Sequence, residues 1–302
     1  MKIKNSFAIT TIKKIFLLSA ICILLAVNLF SQENQKNPAE NATTSGYAPV
    51  NGLKTYYEVY GEGKPLILLH GAFMTIHTNF GQIIPQLAKN RKVIAVELQG
   101  HGHTGDIERP LSQESMADDV AALLLFLKVD TADVFGYSLG GDVALQLAIR
   151  HPQIVRKMIV LSAAYRSDGW TPETRAILPT ITPAMFEGSP MKVEYDKVAP
   201  DPKHWPQFVE KVKQLAIKTF DFGAEKMKTI KSPTLLMAGD GDGVLPEHVI
   251  EMYRLLGGNY MVDFGPAHKT QLAILPGTSH ISVMMQTNWL VSIVTTFLDT
   301  QM

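Results

Sequence analysis

Short apolar runs recur along the chain at residues 66–69, 93–96, 134–137, 158–161, 234–237 and 272–275, each of a length suited to a strand buried on both faces. Between most of them, segments such as 112–127 and 142–149 place apolar residues at helical spacing. Alternation of this kind predicts a mainly parallel sheet covered by helices on both faces. Ahead of it, Asn51-Gly52 stands between β-type runs, the chemistry of a two-residue type I′ hairpin turn, which predicts an antiparallel edge. Gly61, Gly63 and Pro65 break the chain again before the first buried run.

One connection is far too long for a simple crossover. The stretch between residues 161 and 234 is rich in Pro, Met and aromatic residues, among them Trp170, Met185, Phe186, Met191, Tyr195, Trp205 and Phe208. Pro172, Pro183 and Pro190 stand where prolines open short helices. We read 164–231 as an inserted helical lid and 47–163 with 232–302 as the core it interrupts. An insertion at the carboxyl ends of the strands covers the crevice where open α/β sheets bind ligands.

The amino-terminal end has a different pattern. Lys2, Lys4, Lys13 and Lys14 precede an apolar run over 15–30, the shape of a signal peptide, so 1–31 is expected to be removed near Ser31 and the protein exported to the periplasm or beyond. The run is shorter than the roughly 20 residues of a membrane-spanning helix, although an uncleaved anchor is the alternative. Residues 32–46 are polar with no apolar period and read as a flexible leader. Cys22, the only cysteine, lies within the apolar run, so disulfides, zinc–cysteine sites and thiol catalysis drop out of the mature chain. Removing the four leader lysines from 28 basic residues leaves 24 against 28 acidic, a net charge of −4. With no basic stripe, nucleic acid is not an expected partner.

Candidate chemistry centres on Ser138. Gly136, Tyr137, Ser138, Leu139 and Gly140 satisfy G-x-S-x-G, with an apolar strand run before and an amphipathic helix after. A sharp strand-to-helix turn needs glycines where backbones approach closely, and it exposes the serine hydroxyl beside the amides of a helix start.

Here the chain resembles the α/β-hydrolase superfamily, through Gly136–Gly140 and through "LILLHGAF", a buried run ending in His70-Gly71. The resemblance implies an eight-stranded, mostly parallel sheet with a helical lid. It also implies backbone amides of Ala72 and Leu139 as an oxyanion hole, with Phe73 a near rival for the first. His70 reads as a structural residue of that loop. "VELQGHGHTGD" resembles the family's Asp/Glu-x-x-Gly-x-Gly-x-Ser turn, with Gln99 for the usual basic residue and Thr104 for Ser. Gly100 and Gly102 then serve backbone geometry, and His101 and His103 are expected as exposed loop residues.

The family order of nucleophile, acid and base places the base late. His151 ends a helix, His204 lies in the insertion, His248 opens a helix and His268 sits in an irregular stretch. His280 follows the last strand and is the expected base. Of two aspartates after the preceding strand, the Gly-x-x-Asp-x-x-x-Pro spacing from Gly239 to Pro246 selects Asp242 as the acid, leaving Asp240 to bond its own loop. The separation of Asp242 from His280 exceeds the family norm because of the excursion "LLGGNYMVDFGPAHKT".

These residues imply a serine hydrolase without metal or cofactor, acting on a small to medium, partly apolar substrate, with Phe73, Tyr137 and Trp170 as pocket candidates. Carboxylic-ester hydrolysis is the broadest expectation. Carbon–carbon bond hydrolysis, lactone hydrolysis and cofactor-free peroxidation use similar triads, and a non-catalytic ligand-binding protein is the rival from another class. Oligomeric state is unreadable from the pattern.

Overall fold

The computed structural model describes residues 42–258, 261–263 and 268–301. The expected signal peptide with Cys22, the leader through residue 41, and residues 259, 260 and 264–267 of the excursion lie outside the described residues. Eight strands form one sheet: β1 (Thr44–Val50), β2 (Leu53–Tyr60), β3 (Lys64–Leu69), β4 (Arg91–Val96), β5 (Ala132–Tyr137), β6 (Val155–Leu161), β7 (Thr234–Gly241) and β8 (Thr270–Ser279). Their order is β1-β2-β4-β3-β5-β6-β7-β8. β2 runs antiparallel to both β1 and β4, and every other pair is parallel.

The hairpin that opens the sheet is the expected one. Val50 pairs with Leu53, and Asn51 and Gly52 both take the left-handed conformation that a type I′ turn demands, with φ of 49° and 83°. The first strand starts at Thr44, within the stretch expected to be flexible, and pairs there with Val59. Thr44 and Ser45 point largely to solvent on an edge strand, so the segment looks polar even where its backbone is laddered.

Alternation along each strand divides the core in two. Leu66, Leu68, Val93, Ala95 and Phe135 face one layer, which the helices Ile84–Leu87 and Thr287–Asp299 cover. Ile67, Leu69, Ile94, Val96 and Val134 face the other, covered by Gln113–Phe126, Leu139–Arg150 and Pro246–Leu255. All four residues from Leu66 to Leu69 are fully buried. Each such side chain contributes about 1.5–3 kcal/mol of transfer free energy, which makes this central strand a firm base for the loop that follows it.

The helix after β5 begins at Leu139, three residues before the apolar period shows it. Gly140 and Gly141 have no side chains with which to signal a helical face. Between β6 and β7 the lid contains Pro172–Ile177, Pro190–Val198, Trp205–Ile217 and Ala224–Thr229, with Pro172, Pro183 and Pro190 each in a first helical position. Trp205–Ile217 buries Trp205, Phe208, Val209, Val212 and Leu215 on one face. Trp205 and Phe208 pack with Tyr195, Phe186 and Phe73, which joins the lid to the loop after β3.

Candidate active site

Ser138 ends up on a strained turn between β5 and the helix Leu139–Arg150, with φ 53° and ψ −121°. Such a conformation disfavours a side-chain-bearing residue and persists only where its surroundings enforce it. They do so at two glycines. A Cβ on Gly136 would lie 2.1 Å from the Gly140 carbonyl oxygen, and one on Gly140 would lie 2.0 Å from that of Leu69. The Ser138 amide donates to the Leu161 carbonyl at 2.9 Å, tying the turn to the neighbouring strand. Ser138 is left half-buried.

Three strand ends converge there. His280, after β8, places Nε2 3.0 Å from Ser138 Oγ and Nδ1 2.8 Å from Asp242 Oδ1. Asp242, after β7, has a fully buried side chain. Burial opposes its ionisation, yet hydrogen bonds from His280, the Ser162 hydroxyl and the Val244 amide outweigh that and hold its carboxyl below the usual aspartate range. The Gly239 amide donates to its second oxygen at 3.3 Å. The carboxylate is thus anchored by backbone and hydroxyl donors and presents one oxygen to the imidazole. This arrangement fits the Nδ1–H tautomer, leaving Nε2 to accept the serine proton.

The remaining aspartate and histidines are engaged elsewhere. Exposed Asp240 accepts the Thr278 amide at 3.1 Å, so it clasps β8 as well as its own loop. His151 meets Asp118 at 2.7 Å, and His204 meets Asp106 at 2.9 Å. His248 is buried against Tyr165 and accepts that residue's amide at 3.2 Å, while His268 contacts the Tyr253 hydroxyl at 2.7 Å.

The turn after β3 is held by His70. Its Nδ1–H donates to the Gly71 carbonyl at 2.8 Å, its Nε2 accepts the Leu98 amide at 3.1 Å, and burial pushes its pKa down. A neutral ring satisfies both contacts, so His70 is a brace, as its position implied. Asn79 adds a second brace, accepting the Gly71 amide at 2.7 Å. The amides of Ala72 and Leu139 have no hydrogen-bond partner among the described residues, and neither does that of Phe73, whose φ is 63°. Leu139 opens its helix, where amide groups lack intrahelical acceptors.

Two expectations need correction. His101 is not an exposed loop residue. The left-handed turns at Gly100 and Gly102 fold it inward between His70 and Phe208, where it is 1% exposed. Burial and the adjacent His70 push its pKa down to about 3. His103 is half-buried rather than free, with Nδ1 2.9 Å from Glu97. Tyr137 is not an open pocket wall either. It is 2% exposed, and its hydroxyl donates to the His280 carbonyl at 2.7 Å, so it positions the imidazole's own backbone. Phe73 meets Phe186 and Phe208 of the lid, and the Trp170 indole packs edge-on to His280 at 5.5 Å.

Ser162 and Asn79 went unnoticed in the sequence. Ser162 sits directly after β6, as Ser138 sits directly after β5, and that is the one signal that could have found it.

Residues 64–216, about half of the chain, match the family described as alpha/beta hydrolase fold, and the chain belongs to that family. A 2-hydroxymuconate semialdehyde hydrolase from Pseudomonas sp. (strain CF600) is 36% identical over 119 residues, covering 37% of this chain and 41% of that relative. The chain thus matches less than half of that relative's length. Among solved structures, the meta-cleavage product hydrolase CumD from Pseudomonas fluorescens IP01 aligns with TM-score 0.66 at 22% identity, covering 86% of this chain and 98% of its own. An enol-lactonase from Burkholderia xenovorans LB400 aligns with TM-score 0.65 at 21% identity, covering 84% and 100%. These two likenesses are of fold. The chain has the α/β-hydrolase fold, and no helix among the described residues is long and apolar enough to cross a membrane.

Proposed function

We propose that Ser138, His280 and Asp242 form the triad of a hydrolase that cleaves the carbon–carbon bond beside a carbonyl in a small unsaturated keto acid. The observation that carries the catalytic part is the single imidazole joining Ser138 at 3.0 Å and Asp242 at 2.8 Å. The choice of bond is supported by the names of the relatives, above all the 2-hydroxymuconate semialdehyde hydrolase. It takes the reading away from a plain carboxylic ester.

In this mechanism His280 Nε2 takes the Ser138 proton as Oγ attacks the substrate carbonyl carbon. The oxyanion rests on the amides of Ala72 and Leu139, each donor worth about 3 kcal/mol of transition-state stabilisation. Collapse breaks the carbon–carbon bond. The electron pair leaves with the departing carbon, where conjugation with the unsaturated acid spreads it, and His280 returns its proton there. Water, deprotonated by the same imidazole, then attacks the acyl-serine and releases the acid and the free hydroxyl. A lactone or ester follows the same course with oxygen as the leaving atom.

Three substrates test the reading together: 2-hydroxymuconate semialdehyde, followed by loss of its conjugated absorption, an enol lactone, and 4-nitrophenyl acetate. The expected result is turnover of the semialdehyde with the highest kcat/KM, abolished by Ser138→Ala. Turnover of lactone or ester with the semialdehyde untouched would move the bond to carbon–oxygen. If none reacts and a fluorophosphonate leaves Ser138 unlabelled, the catalytic reading fails.

A further inference from the structure

A crevice of about 360 Å³ opens in the lid beside Trp170, within the size range of small-molecule sites. Trp170, Leu178, Pro179, Ile217 and Phe220 give it apolar walls, and Arg175 lines its rim. Its frame is preformed. The Ser167 amide donates to the Phe220 carbonyl at 2.9 Å, the Phe220 amide donates to Ser167 Oγ at 2.7 Å, and Arg166 bridges to Asp221 through the backbone. Trp170 is itself fixed by a bridge to Val244, two residues past Asp242. The same indole meets His280 at 5.5 Å, so one ring is a wall shared by the crevice and the triad.

The charges at the crevice are unevenly committed. Arg166 is bound to Asp168 and Glu251, and Asp221 accepts the Gly223 amide. Arg175 is exposed, and its guanidinium has neither a hydrogen bond nor an ion pair among the described residues. A guanidinium over apolar walls suits a planar carboxylate at the end of an apolar stem.

We infer that this crevice is the subsite for the end of the substrate remote from the cleaved bond, an apolar stem ending in a carboxylate that Arg175 receives. The inference rests on Ser138 as nucleophile. Trp170, which lines the crevice and packs on His280, is the wall that links the two. Arg175 therefore sorts substrates by charge.

The test separates binding from turnover. Calorimetry on Ser138→Ala compares monomethyl octanedioate with methyl octanoate. The half-ester is expected to bind about tenfold more tightly, one charge-assisted contact's worth. Arg175→Ala on that background removes the preference, and Ala216→Trp, which fills the crevice, weakens both ligands about tenfold or more. A preference that survives Arg175→Ala, or binding that survives a folded Ala216→Trp, overturns the subsite. Should Ala216→Trp fail to fold, the exposed Arg175 variant still decides. Half-ester binding without turnover of any substrate by the Ser138 enzyme would sink the hydrolase reading and leave the subsite standing. Normal turnover without half-ester preference would do the reverse.

Discussion

Asp240 at the end of β7 and Asp242 just past it show how two positions of chain separate different chemistry. Asp242 is buried and gives one oxygen to His280, whereas Asp240 is exposed and holds the Thr278 amide. Asp242→Asn is expected to lower kcat by about 10⁴, because an amide neither fixes the tautomer nor balances the imidazolium. Asp240→Asn keeps an acceptor for the strand amide and is expected to cost far less; steady-state turnover of both variants checks the order, and the reverse order would exchange their roles. The sequence makes the triad legible because each member follows a strand at a recognisable spacing. Ser162 and Asn79 were hidden because their contacts, to Asp242 and Gly71, form only through space. His101 was misread for a related reason: a histidine between glycines looks solvent-loving, and nothing local announces that left-handed φ values turn it inward.

Among the elements, the lid helix Trp205–Ile217 is held to the core by more than its aromatic face. Asp106, nearly buried in the loop after β4, accepts Lys211 Nζ at 2.7 Å, His204 Nε2 at 2.9 Å and Gln99 Nε2 at 2.8 Å. Lys211 also caps the Ile107 and Arg109 carbonyls. Asp106→Asn leaves the shape and removes the charge that Lys211 and His204 address, costing about 2 kcal/mol, the scale of hydrogen bonds to charged groups. The expected outcome is faster amide exchange across 205–217 with exchange across 139–150 unchanged. Equal protection in both proteins would mean that Trp205 and Phe208 alone hold the helix. The amphipathic pattern of this helix is readable in the sequence, but its clasp is not, since Asp106 and Lys211 are joined only when the lid closes over a loop a hundred residues earlier.

Across the whole molecule, one buried carboxyl couples the helix that follows Ser138 to the start of the lid. Asp142 reads in sequence as a favourable acid in a first helical turn, yet it is 5% exposed and accepts the Ala164 amide at 3.1 Å. Burial pushes its pKa up from 3.8 to about 8, against the opposing hydrogen bonds from Ala164 and Gln113. The folded protein therefore keeps a proton that the unfolded chain releases. That contribution to stability is complete below about pH 3.8, declines as pH rises, and is gone once pH passes about 8. Asn at this position can accept the same amide and has no proton to lose. Thermal unfolding of wild type and Asp142→Asn from pH 5 to 9 is thus expected to show the variant gaining relative stability with rising pH, the difference levelling off near pH 8. The lowered carboxyls of Asp106 and Asp242 act with the opposite sign, at acid pH, and they are common to both proteins. They cancel in the difference, so parallel curves for the two proteins would show that Asp142 is already ionised in the fold and that its burial is compensated by another group.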